Sequence, residues 1–237
     1  MKESLYDQMN KWDKDDDFFV QLVKKIRPTY IADLGCGTGR IALYLGEEGY
    51  EILGIDPDPN AIETAKQKDK KLLVEWKIGT SEELMDASFD LVMMTSNVAQ
   101  VFLKDIDWNK TLLDIYNSLN NGGYLIFDTR NPLQRAWEQW TKEKTKKFIQ
   151  DPITGNPMMV WHEFLEINES VVKYKTVYQN ENLQNNVEES ALIFRTKEQI
   201  GNDLTKAGFI DIKVYGDWGF DEAIENVNSF IFTAKKR

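Results

Sequence analysis

The fold is decided by the stretch Ile31-Ala-Asp-Leu-Gly-Cys-Gly-Thr-Gly-Arg40, an apolar strand that ends on a carboxylate and runs through three glycines into a helix. Gly35, Gly37 and Gly39 carry no Cβ that could block a ligand, and they permit the positive φ angles of a tight turn. Backbone N–H groups at the helix start can therefore face a ligand. The GxGxG spacing after Asp33 differs from the GxGxxG dinucleotide pattern and points away from a nicotinamide cofactor.

A second short apolar strand, Tyr50-Glu-Ile-Leu-Gly-Ile-Asp56, also ends on a carboxylate and is followed by Pro57. Asp56 lies roughly 20 residues beyond the glycines, at the tip of the neighbouring strand, where both hydroxyls of a ribose would fall. A tight turn without a ligand would not need this second carboxylate. The two motifs together therefore predict a nucleoside-containing ligand.

Four motifs in this region resemble the successive motifs of class I S-adenosylmethionine-dependent methyltransferases. They are Asp33-Leu-Gly-Cys-Gly-Thr-Gly39, Gly54-Ile-Asp56, Ser88-Phe-Asp-Leu-Val92 and Asn121-Gly-Gly-Tyr-Leu-Ile-Phe-Asp128. The resemblance is strong over residues 29 to 130 and looser elsewhere. It implies S-adenosylmethionine as cofactor, S-adenosylhomocysteine as product, and in-line methyl transfer to a small organic acceptor. The alternatives are an NAD(P)-dependent oxidoreductase, which the glycine spacing disfavours, and a non-catalytic S-adenosylmethionine sensor or subunit.

Hydrophobic periodicity predicts a doubly wound α/β fold. Near-continuous apolar strands that alternate with amphipathic helices indicate a parallel sheet covered on both faces. The predicted strands are residues 30–34, 51–55, 72–77, 89–94 and 124–128, and the predicted helices are 17–26, 40–48, 60–68 and 109–119.

After Asp128 the apolar residues alternate, which predicts antiparallel strands at 160–167, 171–178 and 187–194. A helix at 197–207 and strands at 209–215 and 229–234 follow. The resemblance implies a mostly parallel, Rossmann-like seven-stranded sheet with a terminal antiparallel hairpin. We predict one domain over residues 1–237, with an N-terminal helical cap at about 1–28 and an antiparallel insertion at about 131–194 as a lid.

Composition limits the partners. The net charge of −10 over 237 residues disfavours nucleic acid, and the chain contains no apolar run long enough to span a bilayer. The single Cys36 cannot form an internal disulfide, and Met1-Lys-Glu-Ser-Leu-Tyr-Asp7 does not read as a secretion signal. We therefore expect a cytoplasmic protein, a monomer or homodimer, that acts on a small molecule without binding nucleic acid or a membrane.

The resemblance also implies individual cofactor contacts. Asp33 would organise the glycine loop and hold the methionine amino group, whereas Cys36 is a small residue that fits the turn rather than a nucleophile. Gly79-Thr80-Ser81 departs from the family's Gly-Asp at the adenine, so Thr80 or Ser81 would take that role. The predicted cofactor residues are Tyr6, Trp12, Asp33, Gly35, Cys36, Gly37, Thr38, Gly39, Asp56, Pro57, Thr80, Ser81, Ser96 and Asn97.

Tyr6 and Trp12 belong to this set because relatives fold the N-terminal segment over the cofactor, where an aromatic face can attract a sulfonium cation. Both side chains could instead simply pack in the protein. The charges of Asp15, Asp16 and Asp17 indicate a solvated helix start rather than a metal site. With no histidine and cysteine cluster in the chain, we expect no metal.

Candidate substrate residues follow the fourth and fifth strands, where an open sheet of this kind binds its ligands. Arg130 and Arg195 suit a carboxylate or phosphate, although a structural salt bridge would use the same residue type. Asn97 and Gln100 either contact a ligand or cap the next helix. The predicted substrate residues are Gln100, Arg130, Trp137, Trp140, Arg195 and Trp218.

Candidate catalytic residues depend on the acceptor. A general base is needed only if the acceptor atom must lose a proton before it attacks the methyl group. His162, the only histidine, and Asp128 are the predicted bases, with Tyr174 as a further candidate.

Overall fold

The computed structural model describes residues 4–84 and 88–237. Its helices are α1 Leu5–Met9, α2 Lys14–Ile26, α3 Arg40–Glu47, α4 Pro59–Lys68, α5 Asp105–Ser118, α6 Lys142–Thr145 and α7 Lys197–Ala207. Its strands are β1 Tyr30–Leu34, β2 Glu51–Asp56, β3 Val74–Ile78, β4 Phe89–Met94, β5 Leu119–Arg130, β6 Lys147–Gln150, β7 Pro157–Asn168, β8 Val171–Asn180, β9 Asn185–Ile193, β10 Ile210–Gly216 and β11 Ser229–Lys235.

The main sheet has the strand order β10-β11-β5-β4-β1-β2-β3. Strands β1 to β5 run parallel, while β11 is antiparallel to both β5 and β10. This arrangement confirms the predicted seven-stranded sheet with its terminal antiparallel pair. In register, Asp33 lies between Gly54 of β2 and Met93 of β4, so the carboxyl ends of these strands meet at one edge.

Helices cover both faces of this sheet. Trp108, Phe127 and Phe232 are fully buried in the core on one face, and Phe19 and Leu45 are fully buried on the other. Burial on both faces is the physical reason that the strands read as near-continuous apolar runs.

Several element boundaries differ from the sequence expectation, and two of them have a local cause. Helix α2 begins three residues earlier than predicted because the Asp13 side chain accepts from the Lys14 N–H, and Asp13 and Asp16 form a capping box. Strand β5 begins at Leu119 rather than 124, with Gly122 at a φ of 82° within it.

The second sheet is antiparallel, with the strand order β6-β7-β8-β9. The alternating pattern predicted three of its strands, and β6, which pairs with the start of β7, was missed because it is only four residues long. Gln100 Nε2 donates to the Ile193 carbonyl at 3.1 Å and joins the end of this sheet to the main one.

The N-terminal segment bridges the two sheets. Asp7 Oδ1 accepts from the Thr38 hydroxyl in the glycine turn at 2.5 Å and lies 3.1 Å from Lys68 Nζ. Gln8 Nε2 donates to the Gln150 carbonyl, and Gln8 Oε1 accepts from the Gln150 N–H, both at 2.8 Å. Residues 1–3 of the predicted cap lie outside the described residues.

Two absences hold for residues 4–84 and 88–237. Those residues include no helix of the length and apolarity needed to cross a membrane. They also include no group of three histidine, cysteine or acidic residues placed to hold a metal ion.

Asp90 holds the start of β1, which allows a test of the fold. Its Oδ2 accepts from the N–H groups of Thr29 and Tyr30 at 2.9 and 3.1 Å, and its Oδ1 accepts from Asn120 Nδ2 at 2.9 Å. We expect Asp90→Ala to lower the free energy of unfolding by about 1–3 kcal/mol, because it removes these charge-assisted bonds. Urea denaturation, with the exposed Asp221→Ala as control, measures the loss.

The effect should depend on pH with a defined sign. The hydrogen bond from Asn120, with those from the Thr29 and Tyr30 backbone, lowers the pKa of Asp90 against the effect of burial. The stabilisation is therefore complete above the unfolded-state pKa of about 3.9 and is lost as pH falls through the lower folded-state pKa. A difference between the wild type and Asp90→Ala that grows toward pH 3 would contradict this assignment.

Candidate active site

A cavity of about 690 Å³ lies at the carboxyl edge of β1 to β5. Its wall includes most of the predicted cofactor residues, which come from the ends of β1, β2, β3 and β4 and from the N-terminal segment. They are Tyr6, Gly35, Gly37, Thr38, Asp56, Pro57, Thr80, Ser81, Ser96 and Asn97.

The glycine turn and Asp56 are joined directly. The Gly37 N–H donates to Asp56 Oδ2 at 2.8 Å, and the Asp58 N–H donates to Asp56 Oδ1 at 2.9 Å. Gly35 has a φ of 79°, and a Cβ there would lie 2.6 Å from the Val98 side chain. Gly37 has a φ of 54°, and its missing Cβ would face the Tyr6 ring at 3.9 Å. The turn therefore needs glycine for its backbone conformation and for close approach to its neighbours.

Asp33 lies behind this turn and is buried, with Oδ1 lacking a hydrogen-bond partner among the described residues. Burial, with the nearby Asp56 carboxylate, raises the pKa of Asp33 to about 7, and Arg40 opposes the shift. A small pocket beside Asp33 is also lined by Tyr6 and Ser96, which belong to the main cavity wall. An unpartnered buried carboxylate at this place is suited to an ammonium group.

Besides Asp33, three predicted cofactor residues lie outside the main cavity wall. Cys36 lines the small pocket beside Asp33, and burial together with the Asp33 and Asp56 carboxylates raises the pKa of its thiol, which excludes an activated nucleophile. Gly39 is the N-cap of α3, where a Cβ would collide with the Trp76 ring. Trp12 packs against Tyr44 at 4.8 Å between ring centroids.

Thr80 and Ser81 occupy the predicted adenine end of the cavity. The Ser81 hydroxyl donates to Asp114 Oδ2 at 2.6 Å, so its proton is engaged within the protein. Thr80 is exposed. Of the two, Thr80 is therefore better placed to contact a ligand through its side chain.

A second cavity, of about 860 Å³, lies between the N-terminal segment, the start of α3 and one face of the second sheet. It shares part of its wall with the first cavity. We call this shared wall the seam, and its residues are Tyr6, Ser96, Asn97, Arg130, Tyr174 and Leu192. The two cavities therefore adjoin, and a ligand in one can meet a ligand in the other.

Arg130 lies in the seam, and a buried side chain positions its guanidinium group. Its Nη1 donates at 2.8 Å to Oε1 of Gln100, which is buried and lines neither cavity. The predicted substrate residue Gln100 therefore contacts Arg130 and not the space of either cavity. Trp140 lines the second cavity, with its ring 4.9 Å from Tyr174 and 6.0 Å from the Arg130 guanidinium.

The two predicted bases lie in different environments. His162 lines the second cavity, and its Nδ1 is 3.0 Å from the Thr176 hydroxyl. Burial, with the charges of Lys147 and Arg130, lowers the pKa of His162 and favours the neutral imidazole.

Asp128 was predicted as a catalytic residue, and the structure does not support this. It is fully buried and lines neither cavity, and both carboxylate oxygens accept from the Asn97 N–H at 3.1 Å. Burial raises its pKa to about 7. Ser96 and Asn97 have φ angles of 59° and 65°, so Asp128 holds a left-handed turn at the seam.

Besides Gln100, three predicted substrate residues lie away from both cavities. Arg195 is buried and donates to the Phe102 carbonyl at 2.9 Å and to Asp105 Oδ1 at 2.8 Å. Trp137 is buried edge-on against Phe194 at 4.7 Å. Trp218 packs near Phe18 and Phe19. These side chains are engaged in core packing or an ion pair, which a residue pattern alone cannot distinguish from ligand contacts.

Sequence reasoning missed Arg40, which lines the second cavity. Its Nη1 donates to the carbonyls of Asn10 and Lys11, and its Nη2 reaches Ser96 Oγ at 3.3 Å and Asp16 Oδ1 at 3.1 Å. No local sequence pattern indicates that an arginine at a helix start will bind a distant segment in this way. By contrast, the sequence does carry a signal for the face of β8 that lines the second cavity. Tyr174, Thr176 and Tyr178 occupy alternate positions and therefore lie on one face of the strand.

Residues 32–127 match a family model described as a methyltransferase domain. These residues therefore form a methyltransferase domain, and the chain resembles class I S-adenosylmethionine-dependent methyltransferases. It is 23% identical over 242 residues to the glycine/sarcosine N-methyltransferase of Aphanothece halophytica, covering 98% of this chain and 86% of that one.

Solved structures share the fold of this methyltransferase. An S-adenosylmethionine-dependent methyltransferase from Clostridium acetobutylicum has a TM-score of 0.78 at 16% identity, covering 98% of this chain and 96% of that one. The sugar N-methyltransferase KedS8 from Streptoalloteichus has a TM-score of 0.76 at 14% identity, covering 100% of this chain and 94% of that one. Nothing in these comparisons favours the nicotinamide or sensor alternatives.

The first cavity of this methyltransferase fits its cofactor. Asp33, in the small pocket beside it, would provide a carboxylate for the amino group, and Asp56 would provide acceptors for ribose hydroxyls. Gly37 has no side chain to block the ligand. The cofactor supplies a methyl group activated on a sulfonium. These individual contacts stay predictions.

Gly37→Val tests the glycine turn. We expect it to weaken S-adenosylhomocysteine binding by 100-fold or more, roughly 3 kcal/mol, because its methyl groups occupy space at the cavity wall. Gly49→Val is the matched control, since Gly49 also has a positive φ, of 94°, with open space around it. Calorimetric titration of both variants separates cavity blocking from backbone strain. Equal affinities in the two variants would rule out the predicted contact.

The raised pKa of Asp33 predicts pH-dependent binding. The ionised carboxylate attracts the ammonium group, so affinity should rise with pH until about pH 7 and then level off. Asp33→Asn should remove this dependence. Asp128→Asn is the control, because Asp128 has a similarly raised pKa but lines neither cavity. Calorimetry between pH 5.5 and 8 checks both, and a slope that survives in Asp33→Asn would assign the proton elsewhere.

Proposed function

We propose that this methyltransferase transfers its methyl group to a small polar organic molecule held in the second cavity. The observation that carries this proposal is the seam, where the second cavity shares wall residues with the predicted cofactor cavity. The volume of about 860 Å³ is in the range of small-molecule sites. The net charge of −10 further disfavours a nucleic acid acceptor.

Arg130 is the residue we assign to acceptor recognition. Among the described residues the one hydrogen bond of its side chain goes to Gln100, which leaves further guanidinium N–H groups for a ligand. Burial lowers the pKa of Arg130, and the Asp128 charge opposes the shift, yet an arginine stays protonated. A carboxylate or phosphate of the acceptor would bind it in bidentate fashion.

The remaining seam residues would orient the acceptor. Methyl transfer is an in-line displacement, and much of its rate can come from holding the attacking atom collinear with the methyl group and sulfur. Tyr6, Asn97 and Tyr174 surround this position. His162 would accept a proton from an acceptor that must lose one, since its pKa is lowered and its ring is neutral near pH 7.

The names of two similar proteins also favour a small acceptor. One acts on glycine and sarcosine, and the structural neighbour acts on a sugar. Both are small polar molecules, in agreement with the size of the second cavity.

Arg130→Ala tests this function. We expect turnover to fall by about 10- to 100-fold, equivalent to the 1.5–3 kcal/mol of a charge-assisted hydrogen bond. The affinity for S-adenosylhomocysteine should stay within about threefold. The assay is release of S-adenosylhomocysteine across a set of small carboxylates, sugar phosphates and amines.

Arg135→Ala is the matched control, because Arg135 pairs with Glu138 on the surface and lines neither cavity. Unaltered turnover in Arg130→Ala would remove Arg130 from acceptor recognition. Absence of turnover with any member of the set, despite cofactor binding, would count against a small acceptor of these classes.

A further inference from the structure

One face of β8 and β9 forms a wall of the second cavity, and this wall changes from apolar to acidic along β9. Along β9, Leu192 lies at the seam, and Ser190 and Glu188 follow on the same face. Tyr174 of β8 is directly opposite Ser190. Glu188 therefore lies two residues, about 7 Å, beyond the level of Tyr174, since a strand advances about 3.4 Å per residue.

Glu188 is a carboxylate without a cation of its own. Among residues 4–84 and 88–237, no lysine or arginine forms an ion pair with it. The nearest candidate on β8 is Lys175, which faces the other side of the sheet and pairs with Glu163 at 2.9 Å. Glu188 thus brings an uncompensated negative charge to the cavity wall.

Tyr178 completes this end of the cavity. Its hydroxyl donates to Glu188 Oε2 at 3.4 Å, and its ring lines the same cavity. Burial, followed by the Glu188 charge, raises the pKa of Tyr178 to about 12, so the phenol stays neutral and remains a donor. A neutral aromatic ring beside a carboxylate is the combination that binds ammonium groups, through the ring quadrupole and the charge together.

Four cations line the second cavity, namely Lys11, Arg40, Arg130 and Lys147, and none of them forms an ion pair with Glu188 among the described residues. Arg40 is engaged with Asp16, and Lys147 Nζ donates to the Met9 carbonyl at 2.8 Å. Asp15 also lines the cavity without an ion pair among the described residues. A cationic group on a ligand would therefore meet carboxylates whose charges the protein leaves available.

We propose that Glu188 and Tyr178 form a subsite for a cationic amine of the methyl acceptor, about 7 Å beyond the level of Tyr174 at the seam. This inference rests on the proposed function, because it adds a second recognition point for the same molecule. The acceptor is then elongated, with an anionic group at Arg130 and an amine at Glu188. Acceptors that lack the amine bind more weakly.

The test uses choline as the cationic probe and 3,3-dimethylbutan-1-ol, its neutral carbon isostere, as the matched ligand. Both are titrated calorimetrically into the full chain saturated with S-adenosylhomocysteine. We expect choline to bind the wild type at least tenfold more tightly than the alcohol. Glu188→Gln should lose this preference, because it keeps the shape of the side chain and removes its charge.

Glu189→Gln is the control variant. It removes the same charge from the same strand, but Glu189 lies on the opposite face of β9, away from the second cavity. It should retain the preference for choline. Equal binding of choline to the wild type and Glu188→Gln, equal binding of choline and the alcohol, or no choline binding by the wild type would each overturn the subsite.

These outcomes separate the subsite from the proposed function, because choline binding is measured without turnover. Discrimination by Glu188 in a protein that methylates no small acceptor would count against the proposed function alone. Turnover of small acceptors without discrimination by Glu188 would count against the subsite alone.

Discussion

The burial of Asp33 at the carboxyl end of β1 is the constraint on which the active site depends. A carboxylate removed from water favours its protonated form, and Asp56 beside it increases that tendency. Arg40 offsets part of this cost, but its guanidinium is already engaged with Asp16 and the N-terminal segment. The protein therefore keeps an incomplete charge arrangement that an ammonium group of the cofactor would complete.

Arg40 also connects the two cavities. Its contacts reach Ser96 at the seam and the carbonyls of Asn10 and Lys11, which belong to the segment that covers the second cavity. The same segment is tied to the glycine turn through Asp7 and to β6 through Gln8. These contacts share one short stretch of chain, which therefore lies against both cavities.

Sequence reasoning succeeded where a local rule was sufficient. Gly37 and Asp56 were predicted at the tips of neighbouring strands, and the structure confirms this placement with a hydrogen bond between them, whereas their contacts with a cofactor stay predictions. It failed where one residue type serves two purposes. Arg195 binds Asp105, 90 positions away in the chain, so no local pattern could separate this ion pair from a substrate contact. Asp128 follows a strand as a catalytic carboxylate would, yet it supports the Asn97 backbone.

The sequence by itself determined the parallel sheet, the glycine turn and the carboxylates at the ends of β1 and β2. Each depends on hydrophobic periodicity or on spacing within roughly 20 residues, which a linear pattern records. Only the tertiary structure decided which side chains line the second cavity. That cavity joins the N-terminal segment to Arg130 of β5 and to the inward face of β7 to β9. Those segments are brought together by strand register and long-range contacts, and no local pattern specifies which distant residues will meet.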